Sequence, residues 1–218
     1  MIDHKRKFIF LHIPKNAGTS IGNYLINQFN YSMEDFPLKK DFNYYHYDSY
    51  RIHFDNLSED ILKEYYVFTV IRNPYDRFIS EYFFNSELKK LDFSLYCRKF
   101  EALWNTKYEN LIKLNEKPTK PINDLAGDFY NNIHRVSQSN YLNGIYTDYI
   151  DKTPYINKII KYENLNQDFE EVCNHLDIPN KLPHLNKSHK KQIRLSKKNK
   201  RYIYNLYKDD FINFGYSR

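Results

Sequence analysis

Phe8 to Ser20 reads "FIFLHIPKNAGTS". An apolar run stops at Pro14, turns through Lys15, Asn16, Ala17 and Gly18, and enters Thr19 and Ser20. Lys7 to His12 lacks the polar alternation of a half-exposed strand. It therefore predicts a strand buried on both faces, as in a parallel sheet. Ile21, Tyr24, Leu25 and Phe29 then recur at helical spacing, which predicts a helix over 19–29 with Thr19 or Ser20 as its cap. Only five glycines occur in 218 residues, and one of them falls in this turn.

The same strand–turn–helix unit recurs along the chain. "YYVFTVI", Tyr65 to Ile71, is β-branched and aromatic throughout, which predicts a strand. Arg72, Asn73 and Pro74 end it, and Pro74 suits the first turn of a helix over Tyr75 to about Lys89. "YINKIIKY", Tyr155 to Tyr162, is a third strand candidate. "ENLNQDFEEVCNHLDI" follows as an amphipathic helix with Leu165, Phe169, Val172 and Leu176 on one face. Shorter elements are expected at Asp48 to Phe54, a strand, and at Ser58 to Glu64, a helix capped by Ser58. Residues 91–135 read as mainly helical with a loop near Lys117 to Asp124, and a last helix runs from about Ser196 to Phe211. Residues 30–50 are polar, aromatic and irregular. There is no repeat and no domain-sized linker, so residues 1–218 read as one domain. Alternating strands and helices predict an α/β fold: a central parallel sheet flanked by helices on both faces. Ligands of such sheets bind beyond the carboxyl ends of the strands. The turns at 13–20 and 72–75 both lie at such ends.

Charge is unevenly placed. The net charge is +6, yet Ile178 to Lys208 holds ten Lys or Arg and no Asp or Glu, leaving 23 basic against 27 acidic residues elsewhere. A local positive field of this kind attracts nucleic acid, an anionic surface or a polyanionic small molecule, or is a solvated basic face. Cys97 and Cys173 lie far apart and form no CxxC pair, so reduced, buried thiols are expected rather than a zinc site or disulfide framework. No apolar run reaches the roughly 18–20 residues that span a bilayer. The N-terminus lacks a signal-peptide cleavage pattern. A cytoplasmic protein without a membrane anchor is the expectation.

The turn at 13–20 has the chemistry of an anion cradle. N–H groups at a helix N-terminus carry partial positive charge. Gly18 allows close backbone approach, Thr19 and Ser20 add hydroxyls, and Lys15 adds a full charge. The turn is not a Walker A loop, which needs Gly, four residues, then Gly-Lys-Ser/Thr. Lys15 instead precedes the glycine by three positions, and position 19 is Thr. A small-molecule kinase therefore loses its central support. A nucleic-acid or anionic-surface binding protein would use the basic stretch but leaves the two turns unexplained.

Taken with "TVIRNPYDRFISEYFF", Thr69 to Phe84, the first turn resembles the carbohydrate-type sulfotransferases, the sulfotransferase family 2-like group related to the heparan, chondroitin and dermatan O-sulfotransferases. "HIPKNAGTS" is similar to that family's 5′-phosphosulfate loop. "RNPYDRFISEY" is similar to its 3′-phosphate element, with Arg72 and Ser80 eight residues apart. "KYENLNQDF", "LPHLNKS" and the C-terminal "DDFINFGY", Asp209 to Tyr216, fit the same pattern.

The resemblance implies a P-loop-like fold and a PAPS-dependent O-sulfotransferase, PAPS being 3′-phosphoadenosine 5′-phosphosulfate. A sulfuryl group would pass from PAPS to a hydroxyl on a carbohydrate or glycan, with PAP as product and no metal. It implies that Lys15, Asn16, Ala17, Gly18, Thr19 and Ser20 bind the 5′-phosphosulfate, with Lys15 also stabilising charge on the leaving phosphate. Arg72 and Ser80 would grip the 3′-phosphate, and Lys187 and Ser188 would close over the nucleotide. In-line transfer needs a base opposite the leaving phosphate, and His suits neutral pH. His53 lies 19 residues before Arg72, near where the family often carries its histidine, with Ile52 in place of the usual glycine. His46 is the alternative, and His12 is read as orienting the cradle. Lys190, Lys191 and Arg194 could steer the donor or an acidic acceptor. "QSNY", Gln138 to Tyr141, is a candidate acceptor or nucleotide contact.

Overall fold

Strand β2 (Phe8–Leu11) carries four apolar side chains in a row, and all four are buried. The computed structural model describes residues 1–31, 58–84, 92–98, 137–143, 153–182 and 193–218, and elements are numbered among these. The strand expected at 48–54, most of the helical stretch expected at 91–135, and nearly all of 30–50 lie outside them. Around β2 stand β1 (Ile2–Asp3), β3 (Tyr66–Ile71) and β4 (Lys158–Lys161), in the order β1-β2-β3-β4. β2, β3 and β4 run parallel, with Phe10 opposite Phe68 and Val70 opposite Ile160.

The sheet is mixed rather than wholly parallel, because β1 pairs antiparallel with β2. The physical reason is the length of the link. Residues 4–7 are too few for a parallel crossover, which takes a dozen or more, and they turn back with Lys7 at φ 53°.

One sheet face is lined by Phe8, Phe10, Phe68, Val70 and Ile160. These share a core with Ile21, Tyr24 and Leu25 of α1 (Gly18–Gln28) and with Phe169, Val172 and Cys173 of α5 (Leu165–His175). Side chains alternate along a strand, so Ile9, Leu11, Val67, Thr69 and Ile71 point to the other face. They are equally buried, which is why the strands read as unbroken apolar runs.

Several boundaries differ from expectation. Neither Thr19 nor Ser20 caps α1: its N-cap is Ala17, with left-handed φ 63° and ψ 14°. The chain thus enters the helix one residue before the hydroxyls, which lie inside the first turn. Ser58 does cap α2 (Glu59–Glu64), its hydroxyl accepting from the N–H of Ile61 at 3.4 Å. The strand expected over Tyr155 to Tyr162 shrinks to β4, bracketed by single 3₁₀ turns at Thr153–Tyr155 and Tyr162–Asn164.

The chain forms two compact units, each from two segments: Met1–Arg72 with Leu142–Lys190, and Asn73–Tyr141 with Lys191–Arg218. The sheet, α1, α2 and α5 belong to the first. The second contains α3 (Pro74–Phe84), a helical stretch at 93–98, the first residues of α4 (Gln138–Asn143), α6 (Lys197–Leu206) and α7 (Lys208–Asn213). Its core is aromatic. Phe78 meets Tyr96 at 5.2 Å between ring centroids, and Tyr82 meets Phe93 edge-on at 5.0 Å. The expected last helix is two helices, because Tyr207 leaves helical geometry at φ −123° between them and sinks into this core. Cys97 and Cys173 are free and buried. No described helix is long and apolar enough to cross a membrane.

Candidate functional site

β2 delivers the chain through the buried Ile13 and Pro14 into a turn with two left-handed residues, Lys15 at φ 71° and Ala17 at φ 63°. A side chain with a Cβ holds that conformation at roughly 1–2 kcal/mol relative to glycine, so the surroundings must supply the difference. Three contacts tie β2 and this turn to β3. Asn16, 1 % exposed, donates from Nδ2 to the Val70 carbonyl at 2.8 Å. The Thr69 hydroxyl donates to the Leu11 carbonyl at 2.8 Å. Arg72 donates from Nη1 to the Lys15 carbonyl at 3.2 Å.

Gly18 opens α1, and the structure gives it a different reason from ligand approach alone. A Cβ there would lie 1.7 Å from Cδ2 and 1.8 Å from Nε2 of His12. The imidazole occupies the space an alanine methyl would need. His12 is itself stacked on Phe10, with ring centroids 6.0 Å apart. Position 18 is glycine so that the last residue before the turn can pack beneath the helix start. The apolar run places His12 at the end of the expected strand, and nothing in that pattern says that its ring lies where a Cβ on Gly18 would go.

The electrostatics of the α1 start favour an anion. Its N-cap, Ala17, has no side-chain oxygen to offer, and its first turn contains no acid. The dipole end therefore carries no carboxylate in its turn, Lys15 precedes it by three residues, and Thr19 and Ser20 lie within its first turn. Asn16, by contrast, turns its amide inward to hold the loop.

Arg72, 4 % exposed, stands one residue beyond the end of β3. Its guanidinium lies over the ring of Tyr162, 4.1 Å from the centroid. Tyr162 follows β4 directly. Lys15, Arg72 and Tyr162 thus gather at the carboxyl ends of three adjacent parallel strands. The structure brings Lys15 and Arg72 together. Tyr162 was not legible as a partner, although its place as the last residue of the third strand candidate is the available signal.

The second unit carries Ser80, half-buried on α3. It also shows why "QSNY" and "DDFINFGY" occur together. The Asp210 carboxylate accepts from the N–H of Gln138 at 2.9 Å, the N–H of Ser139 at 2.7 Å and the Gln138 amide at 3.3 Å. Asn213 donates to the Ser139 hydroxyl at 3.1 Å. Gln138 and Ser139 are buried, and these bonds anchor α4 to the C-terminal helix. Burial pushes the Asp210 carboxyl up, while Arg77 and the N–H groups of Ser139 and Gln138 pull it down. Arg194 is exposed. His53, His46, Lys187, Ser188, Lys190 and Lys191 lie outside the described residues.

A family model described as "Sulfotransferase family" matches residues 1–217. Neither a curated protein nor a solved structure matches the chain.

Proposed function

This chain belongs to the sulfotransferase family, and we propose that it is a PAPS-dependent O-sulfotransferase whose acceptor is a hydroxyl on a carbohydrate or glycan. The observation that carries the reading is the meeting of Lys15 and Arg72 at neighbouring strand ends, joined by the Arg72 to Lys15 carbonyl bond. The residues present fit a donor with two separated phosphate groups. The uncapped start of α1, Lys15 and the hydroxyls of Thr19 and Ser20 suit the 5′-phosphosulfate, and Arg72 supplies a cation for the 3′-phosphate. By resemblance Ser80 adds a hydroxyl to that phosphate, and Lys187 and Ser188 cover the nucleotide. Residues 1–218 would form one P-loop-like sulfotransferase domain, since the family match runs through both compact units.

PAPS supplies the sulfuryl group, and the protein positions it and stabilises charge. The acceptor oxygen bonds to sulfur as the bond from sulfur to the 5′-phosphate oxygen breaks. His53 takes the acceptor proton, with His46 as the alternative base. Lys15 and the α1 dipole stabilise the negative charge left on the 5′-phosphate, and PAP leaves. We place the reaction in the cytoplasm. Burial pushes the Cys97 thiol up to about 12 and the Cys173 thiol up to about 11, and two unjoined thiols suit a reducing compartment.

Calorimetric titration with 3′,5′-ADP tests the donor site, followed by turnover of PAPS against a panel of hydroxyl acceptors. No binding of 3′,5′-ADP would overturn the reading. His53→Ala should depress turnover while leaving 3′,5′-ADP affinity intact. If only His46→Ala has that effect, His46 is the base.

A further inference from the structure

Lys15 follows β2, Arg72 follows β3 and Tyr162 follows β4, and the strands are in register to their ends, with Leu11 opposite Thr69 and Ile71 opposite Lys161. Lys15 keeps a left-handed backbone at φ 71°. A residue other than glycine persists there only where its neighbours over-determine it. Its carbonyl is one of the groups so fixed, by Arg72 at 3.2 Å. Arg72 reaches that carbonyl while lying over Tyr162 at 4.1 Å. A planar guanidinium is well oriented by an aromatic face, and an ammonium in its place would lose both the fork and the stacking.

The geometry points to Tyr162 as a positioning residue that seats Arg72, through which it fixes the Lys15 carbonyl and thereby the turn that presents Lys15 to the donor. Arg72 then has two roles. Its charge serves the 3′-phosphate, and its N–H clamps the loop that serves the 5′ end. Tyr162 touches neither phosphate in this account. The identity of the ligand rests on the sulfotransferase reading, but the clamp is a property of the ligand-free chain.

Two consequences separate this from a purely structural tyrosine. The ring matters and the hydroxyl does not, so Tyr162→Phe should behave as wild type and Tyr162→Leu should not. The damage should also be felt at the 5′ end, although Arg72 is assigned to the 3′ end.

The test uses the full chain with Tyr162→Phe and Tyr162→Leu. Amide exchange of residues 15–20 is followed without ligand. Affinities for 5′-AMP and 3′,5′-ADP come from calorimetry, and kcat and KM from turnover of PAPS. Tyr162→Leu should raise exchange at 15–20, weaken 5′-AMP and lower kcat, each by about tenfold, the scale of one lost charge-assisted hydrogen bond. Exchange across β2 and β3, and the acceptor KM, should stay near wild type. Tyr162→Phe should remain within about twofold throughout, as expected where the cation–π contact survives.

Unchanged exchange at 15–20 in a folded Tyr162→Leu would overturn the inference. If Tyr162→Leu loses strand protection altogether, Arg72→Lys takes its place: raised exchange at 15–20 supports the clamp and unchanged exchange removes it. Failure of the wild-type chain to bind either nucleotide would defeat the sulfotransferase reading instead, and the ligand-free exchange would still decide the clamp.

Discussion

Helices α1 and α3 both begin within a few residues of a parallel strand, yet their first turns are built to opposite ends. At α3, Pro74 has no N–H to satisfy, and the Asn73 side-chain oxygen accepts from the Tyr75 N–H at 2.9 Å. The Arg77 N–H closes on the Asn73 carbonyl at 2.9 Å, and Asp76 sits in the first turn. That helix start is capped and carries its own negative charge. At α1, the N-cap is an alanine in a left-handed conformation and no acid follows. Its dipole end is answered by no side-chain cap and flanked by Lys15. The two turns look alike in the chain, since each breaks an apolar strand before a helix. Only the first leaves its helix end without a side-chain cap or an acid, which favours an anion there. In the proposed reading the second contributes a side chain, Arg72.

The largest expected effect is at Lys15. Lys15→Ala should lower kcat by about 10²–10³-fold, the loss found when one pre-organised donor to developing charge is removed. Turnover near wild type would remove Lys15 from the mechanism and end the contrast between the turns. Next comes Arg72→Ala. A hydrogen bond to a charged group is worth about 1.5–3 kcal/mol, so 3′,5′-ADP should lose roughly ten- to a hundredfold more affinity than 5′-AMP, which loses only the clamp on the Lys15 carbonyl. Equal losses would contradict a 3′-phosphate contact.

Gly18→Ala tests why the first turn needs glycine. Forcing a methyl into the His12 ring should destabilise by about 1–3 kcal/mol, as overpacking does, and lower the melting temperature. With the ring removed, alanine is the better helix residue by about 1 kcal/mol. His12→Ala/Gly18→Ala should therefore regain part of the loss, and a double variant no more stable than the single would point to another neighbour. The smallest effect belongs to the second turn. Asn73→Ala should remove a cap worth about 1 kcal/mol, shift the melting temperature by a few degrees, and leave 5′-AMP affinity unchanged. Weaker 5′-AMP binding would mean that this turn also meets the 5′ end.

Much of the frame was legible because it depends on local pattern. Unbroken apolar runs marked β2 and β3, helical spacing marked α1 and α5, and Ser58 announced the α2 cap. The antiparallel β1 went unread, since two residues are too few to show a period. The break at Tyr207 was equally hidden, because an aromatic core draws that residue out of a pattern that would otherwise continue. The order of Lys15, Gly18, Arg72 and Ser80 was enough to point to the family. The supports of the first turn were not legible: His12 beneath Gly18, Asn16 on Val70, Arg72 on Lys15 and Tyr162 on Arg72.

The sequence by itself determined that β2, β3, α1, α2 and α5 form, and which residue types stand at the strand ends, because those follow from side-chain periodicity and turn chemistry within a few residues. Only the tertiary structure decided what each strand-end residue touches. Lys15, Arg72 and Tyr162 are far apart along the chain and meet because three parallel strands hydrogen-bond in one register. Parallel strands joined by long crossovers have no tight turn to fix their register, so burial of the shared apolar face sets it.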